Sequence, residues 1–180
     1  MWEVYETRTA AKQLDALPLE ILKRYEKWKD VVRVSGPAGL RRIRGFNDEA
    51  LAGEWDGHRS SRLNQQYHVI YQIVRDTVCV QVVRVSAHDY RRKERMKMQK
   101  STQRVSVSVG DSVRIMRELQ ELSQNQLAEL TGIPQSTISA IERDRVNLGV
   151  ERAKILARAL RCHPTVLVFP SWDIDRESAA

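Results

Sequence analysis

The stretch Ser123 to Arg145, SQNQLAELTGIPQSTISAIERDR, constrains the fold more than any other part of the chain. Ser123 has the small hydroxyl suited to a helix N-cap, and Gln126 three positions on completes a capping-box pattern. Leu127, Ala128 and Leu130 supply an apolar stripe, and Gly132 stops the helix where a left-handed backbone is least strained. Pro134 then starts a second helix, Gln135 to Arg143, with Ile138 and Ile141 turned inward. Upstream, Val113, Met116, Leu119 and Leu122 recur at helical spacing within a helix from about Val107 to Glu121, with Asp111 near its N-terminus. Helix, short glycine-containing turn and helix is the unit that can lay its second helix in the major groove of duplex DNA.

On Gln124, Leu127-Ala128, Gly132, Ile138-Ser139 and Glu142, this stretch resembles the lambdoid-repressor or Xre family. The resemblance covers about 106–172. It extends through NLGVERAKILARALRCHPTVLVF, where Val150, Ile155, Leu156, Ala159 and Leu160 are expected to build two further core helices, and His163-Pro164 begins the last. It implies an all-α, five-helix lambda-repressor-like helix-turn-helix domain. Carried over position by position, Gln124 would position on phosphate. Gln135, Ser136 and Ala140 would face base edges, while Thr137, Ser139 and Arg143 would lie near the DNA backbone. A glutamine at the start of the recognition helix can pair bidentately with adenine. Ala140 departs from the polar residue often found there and offers only a methyl contact. The implied partner is palindromic operator DNA, bound by a homodimer formed through this domain.

The first half has a different grain. Trp2 to Glu6 alternates like a strand, Thr9 to Leu17 reads as a helix, and Pro18 opens a second one with Leu19, Leu22, Tyr25 or Glu26, and Val32 at helical spacing. Gly36-Pro37-Ala38-Gly39 breaks it. The period then changes to two. Gln66 to Val74 alternates, Arg75-Asp76 makes a turn and Thr77 to Val85 is rich in valine, which together read as a hairpin. The expectation is an α+β domain with two N-terminal helices on an antiparallel sheet.

The strings NDEALAGEWDGHRSSRLNQQYHVIYQIV, Asn47 to Val74, and VVRVSAHDYRR, Val82 to Arg92, resemble the RelE/ParE superfamily of toxins. Within it they are similar to the YafQ-, YoeB- and HigB-like ribosome-dependent mRNA interferases. Such an enzyme uses the RNA's own 2′-hydroxyl, with a general base, a general acid and cations on the phosphate, and needs no metal or cofactor. The resemblance places His88 as base or acid and Glu49 as its partner. It puts Arg62 and His68 near the phosphate, and Tyr67 and Tyr90 as candidates to stack on a base. Several relatives have Arg where this chain has His68, so phosphate stabilisation is expected to be weaker. Trp55 reads as a core or hairpin residue, and His58 and His163 carry no assigned chemistry.

The formal net charge is +7. Between Arg91 and Arg104, seven basic residues face one acid, Glu94, so this segment alone carries +6. It holds almost no apolar residues and reads as a tether, long enough for the halves to dock in cis or to exchange between protomers. A strip that meets phosphates is the functional reading of the same charges. The expected layout is 1–92 RelE/HigB-like domain, 93–105 basic linker, 106–172 helix-turn-helix domain and 173–180 tail.

Cys79 and Cys162 fit no metal-ligand spacing, no apolar run is long enough to span a membrane, and a cytoplasmic location is expected. In the HigB/HigA subgroup the toxin precedes an Xre-type antitoxin, the order found here on one chain. The combined expectation is a single-chain toxin–antitoxin fusion, a ribosome-dependent mRNA endoribonuclease held in check by a DNA-binding antitoxin that represses its own operon. The competing expectations are an Xre-type regulator whose RelE-like half is catalytically inactive and serves interaction, and a gyrase-directed toxin of the ParE kind. Met96 and Met98 lie where a separate antitoxin would begin, so joined reading frames and internal initiation are a further expectation.

Overall fold

A computed structural model describes residues 2–74, 79–87 and 98–172. The Arg75-Asp76 turn, His88, Tyr90, Met96, most of the basic run and the expected tail lie outside the described residues.

The first half runs β1 (Glu3–Thr7), α1 (Arg8–Asp15), α2 (Leu19–Ser35), α3 (Pro37–Leu40), β2 (Glu49–Ala50), β3 (His58–Arg62), β4 (Tyr67–Val74), β5 (Cys79–Ala87) and β6 (Met98–Lys100). The six strands form one sheet in the order β2-β3-β4-β5-β1-β6. Pairing is antiparallel except between β1 and β5, which run parallel. The expected α+β layout stands, with that one parallel pair added, because α1 and α2 carry the chain from β1 across the sheet before β2 begins.

Local chemistry explains the boundaries. The Thr7 side chain caps α1 by accepting from the Ala10 amide. Gly36 ends α2 at φ 67, and a Cβ there would also lie 2.5 Å from the Trp2 indole nitrogen, so both backbone and packing call for glycine. Tyr25 stacks on Trp28, whose edge meets Tyr71 of β4 with ring centroids 5.3 Å apart. Val4, Leu14, Val32, Phe46, Leu63 and Val69 complete this core.

Helix α2 is unusual in being buried on every side: Tyr25 through Val32 are all buried, four charged residues included. The sheet covers one side. A second side meets the segment after β6, where Lys29 Nζ donates to Thr102 O at 2.8 Å and pairs with Glu26 at 3.0 Å. The third side meets the second half of the chain.

The expected linker, 93–105, is therefore ordered from Met98 onward. Gln99 pairs with Glu6 and Lys100 with Tyr5, adding β6 to the sheet edge. The buried Glu6 carboxylate then receives Tyr25, Ser101 and both terminal nitrogens of Arg104. A polar segment with little apolar content orders because one buried acid collects its donors.

The second half is α4 (Val109–Leu119), α5 (Gln124–Thr131), α6 (Gln135–Glu142), α7 (Val150–Ala159) and α8 (Pro164–Val168), the five helices expected. Ser123 and Gln126 form the capping box, Gly132 ends α5 in the left-handed conformation, and His163 caps α8 ahead of Pro164. Ser108 is the N-cap of α4, and Asp111 lies in its first turn as expected. Val113, Met116, Leu119, Leu127, Ile138, Ile141, Leu156 and Leu160 fill the core. Two expected core residues do not join it: Val150 is 67% exposed and Ile155 is 41% exposed. Both lie on the outward side of α7, whose inward positions are taken by Ala153, Leu156 and Ala157.

The two halves dock through α2 against α4 and α8. Lys23 Nζ reaches Asp111 at 2.8 Å, Arg24 reaches Glu118 at 2.6 Å, and Arg114 reaches back to Glu20 at 3.1 Å. Lys27 is fully buried between them, donating to Ser112 Oγ and to the Val166 carbonyl, with Asp30 at 2.7 Å. Gly45 lies so close to Leu119 that a Cβ would sit 2.6 Å from its carbonyl oxygen.

Candidate nucleic-acid interface

Helix α6 packs chiefly on α4 and α5 and is fixed from below. The crossing of α4 and α6 is close enough that a Cβ on Gly110 would lie 2.5 Å from Ile141 O and 2.8 Å from Glu142 O. The Gly110 amide donates to Asp144 Oδ1, tying the start of α4 to the end of α6. Gly110→Ala is expected to cost about 1–3 kcal/mol by overpacking against rigid backbone. Urea unfolding is the measurement; an unchanged midpoint would show that the crossing can relax.

With Ile138 and Ile141 buried, Gln135, Ser136 and Arg143 are exposed and Thr137, Ser139 and Ala140 are half-buried. Docking of the first half through α4 and α8 leaves this face of α6 open. A chain of side chains runs beneath it. Arg117 makes a bidentate pair with Glu142, at 2.6 and 3.0 Å. Glu142 accepts from Gln124 Nε2 at 2.7 Å, and Gln124 Oε1 accepts from Gln135 Nε2 at 2.7 Å. The amide of Gln135 is thus orientated before any ligand arrives. The sequence had singled out Glu142 without a role; its role is to hold Gln124. Arg117, spaced from Glu142 by 25 residues, carries no local signal that would have found it.

The sheet presents a second candidate surface. Across it, Glu49 pairs with Ser60 and Ser60 with Ile70, while Arg62 pairs with His68. Paired residues of antiparallel strands share a face, so Glu49, Arg62 and His68 lie on one face. Tyr71, which meets Trp28, fixes the opposite face as the one under α2. Tyr67 has the parity of Tyr71 and packs against that core, so it is not brought together with the other three. Glu49 and Arg62 are exposed. His68 is only 8% exposed, with Nδ1 3.3 Å from Ser60 Oγ. His88 and Tyr90 lie outside the described residues.

Beside this face, on its α2 side, a network missed in the sequence fixes β3 to the strand ahead of it. The buried carboxylate of Asp48 accepts from Arg59 Nε and Nη2 at 2.9 and 2.6 Å, from Ser61 Oγ at 2.8 Å and from the Tyr71 hydroxyl at 2.6 Å. Burial and the Asp48 charge raise the Tyr71 hydroxyl well above its ordinary range. Among the described residues no group of three or more His, Cys, Asp or Glu could hold a metal ion, and no helix is long and apolar enough to cross a membrane.

Comparison with known proteins bears on the second half most directly. The helix-turn-helix family profile matches residues 113–167. The control protein C.SmaI of Serratia marcescens is 38% identical over 52 residues, 29% of this chain. The chain spans 62% of that relative's length. Among solved structures, the restriction-modification controller protein C.AhdI of Aeromonas hydrophila is 34% identical, over 34% of this chain and 92% of its own, with a TM-score of 0.33. The toxin-antitoxin complex RelBE2 of Mycobacterium tuberculosis is 27% identical, over 48% of this chain and 96% of its own, with a TM-score of 0.38. Residues 113–167 are a helix-turn-helix domain, carried by a chain whose first half is an α+β fold docked against it.

Proposed function

We propose that the chain is a DNA-binding repressor of its own operon, with an RNA-cutting module of the RelE kind held in check on the same polypeptide. The observation that carries the first part is the free face of α6, with Gln135 pre-orientated by Gln124 and Glu142. A pre-orientated glutamine amide suits adenine N6 and N7, and each bidentate contact of this sort discriminates by about 1–3 kcal/mol. Gln135→Ala is therefore expected to weaken binding to DNA selected by the full chain from a random pool by roughly 10- to 100-fold. Equal loss on all DNA sequences would sink the base-reading role. Homodimerisation through this domain belongs to the same reading, because exposed Leu130, Val150 and Ile155 offer it apolar surface. So do operator palindromy and a cytoplasmic location. A gel-filtration monomer that binds one half-site tightly would reject the dimer.

Support for the nuclease part is the alignment of Glu49, Arg62 and His68 on one sheet face, together with the resemblance of Asn47–Val74 to mRNA interferases. Arg62 would hold phosphate, and Glu49 with His88 would exchange protons with the 2′-hydroxyl and the leaving 5′-oxygen. The docked second half lies beyond α2, on the other side of the sheet, so inhibition would act by keeping the module off the ribosome rather than by capping this face.

A second reading is favoured by one observation: His68 is buried against Ser60, which suits an inactive interaction domain. Expression of residues 1–105, which keep β6 and Arg104, separates the two. Growth arrest and mRNA cleavage that are absent from the full chain, and abolished by His88→Gln, support the nuclease. A harmless fragment that folds supports the interaction domain.

A further inference from the structure

Where α2 and α3 of the first half meet α7 and α8 of the second, the docked halves enclose an open cleft of about 550 Å³. That is the size of a small-molecule site. Three arginines line it: Arg42 from the first half, and Arg158 and Arg161 from the second. No carboxylate among the described residues lies within ion-pair distance of any of them. The contrast with the rest of the interface is sharp, since Arg24 and Arg114 both have carboxylate partners across it, Glu118 and Glu20.

The cleft is built rather than incidental. The buried amide of Gln120 donates to the Arg42 carbonyl at 3.2 Å and to the Leu160 carbonyl at 2.8 Å. One side chain thus pins the backbone beside Arg42 to the backbone beside Arg161, across the domain boundary. His163 Nδ1 accepts from the Thr165 amide, so the neutral ring carries its proton on Nε2 and is a further donor at the rim. Val31, Ala157 and Pro164 give an apolar floor. Cys162 adds no charge, because burial pushes its thiol up to about 12.

Three arginines without a carboxylate partner, lining one cleft with apolar Val31, Ala157 and Pro164, suit a ligand that is anionic at one end and flat and apolar at the other. We propose that this cleft binds a phosphorylated small molecule of mononucleotide size, with phosphate on the three arginines and a ring on the floor. Because the cations come from both halves, occupancy favours the docked arrangement, and undocking weakens binding by the same factor. The inference stands on the docking geometry alone and does not depend on the DNA or RNA roles proposed above.

The test is calorimetric titration of the full chain with ATP and, separately, with inorganic pyrophosphate. ATP is expected to bind once per chain and to raise the thermal midpoint, with pyrophosphate weaker because it leaves the floor empty. Arg161→Gly is the decisive variant: Arg161 sits at φ 53, where glycine is at ease, so the fold is retained while the cation is lost. Affinity for ATP is expected to fall about tenfold or more in Arg161→Gly, and likewise in Arg42→Gln from the other half. No binding of either probe, or binding unchanged in both variants, overturns the proposal. So does a result in which short single-stranded RNA binds through these arginines and ATP does not, which would make the cleft a polyanion surface.

Discussion

Lys27→Ala is expected to destabilise the full chain by about 3–5 kcal/mol, because it leaves a buried carboxylate without its cation. Lys27 is wholly enclosed between α2, α4 and α8. Its ammonium has three donors and three partners: Asp30, Ser112 Oγ and the Val166 carbonyl. Removing it strands Asp30, whose remaining partner is the Ser171 amide at 3.1–3.2 Å, and leaves the Val166 carbonyl unserved. The loss falls on the docking of the two halves, since two of the three partners belong to the second half. Denaturant unfolding of the variant is therefore expected to lose cooperativity, and limited proteolysis to open the segment after Lys100. A double change, Lys27→Met with Asp30→Leu, is expected to recover much of the loss, because an apolar pair of similar volume replaces both desolvated charges. A single Lys27→Ala chain as stable as the parent would show that water reaches Asp30 and that the contact is dispensable.

That lysine also shows where the sequence stops being legible. The turn between α5 and α6 could be read residue by residue, because a capping box, a left-handed glycine and an N-terminal proline each act on partners no more than four positions away. Helix α2 could not. Its run Tyr25-Glu26-Lys27-Trp28-Lys29-Asp30 looks like a helix with a solvated face, yet every one of these residues is buried. The charges neutralise one another three positions apart, Lys27 with Asp30 and Lys29 with Glu26, and the elements that cover them come from 70 to 140 residues further on. Strand β6 was hidden for the same reason: Met98–Lys100 is polar and lies in a basic run, and its order comes from pairing with β1. Val150 and Ile155 mislead in the other direction, having core chemistry on an outward face.

The candidate sheet site was half legible. Glu49, Arg62 and His68 share a face because their register is set by the alternation of β3 and β4. Tyr67 adjoins His68 in the same strand and so points to the other side, where it packs on the core, against the expectation that it stacks on a base beside them. That His68 would be buried beneath this face was not readable, since nothing in Tyr67-His68-Val69 marks which neighbours cover it.

The last large effect expected is at Glu6, and it is pH-dependent. Glu6 is fully buried and gathers Tyr25, Ser101 and Arg104, so it anchors the only covalent path between the halves. Burial by itself would push its carboxyl up. The hydrogen bonds from Arg104 and Ser101, with the charges of Arg104 and Lys29, outweigh burial and hold it below its ordinary value of 4.5. Asp111, paired with Arg114 and Lys23 across the docking surface, is likewise held below 3.8 against its own partial burial. A carboxyl lowered on folding binds its proton more readily in the unfolded chain. Its contribution is therefore complete above the ordinary value, declines as the pH falls below it, and is gone once the pH passes the folded value. Stability is expected to be flat with respect to these two groups above about pH 5 and to fall from there into strong acid. Glu6→Ala is expected to cost about 3–5 kcal/mol near neutrality, leaving the Arg104 guanidinium with Asp15 as its one carboxylate partner and the Tyr25 and Ser101 hydroxyls without their acceptor, and to release the segment after β6. Glu6→Gln keeps the shape but loses the charge, so it is expected to retain more stability near neutrality while flattening the acid limb of the curve. Chemical denaturation of the parent chain and both variants between pH 3 and 7 measures this. An acid limb as steep in Glu6→Gln as in the parent would place the sensitivity elsewhere and remove Glu6 from the role of anchor.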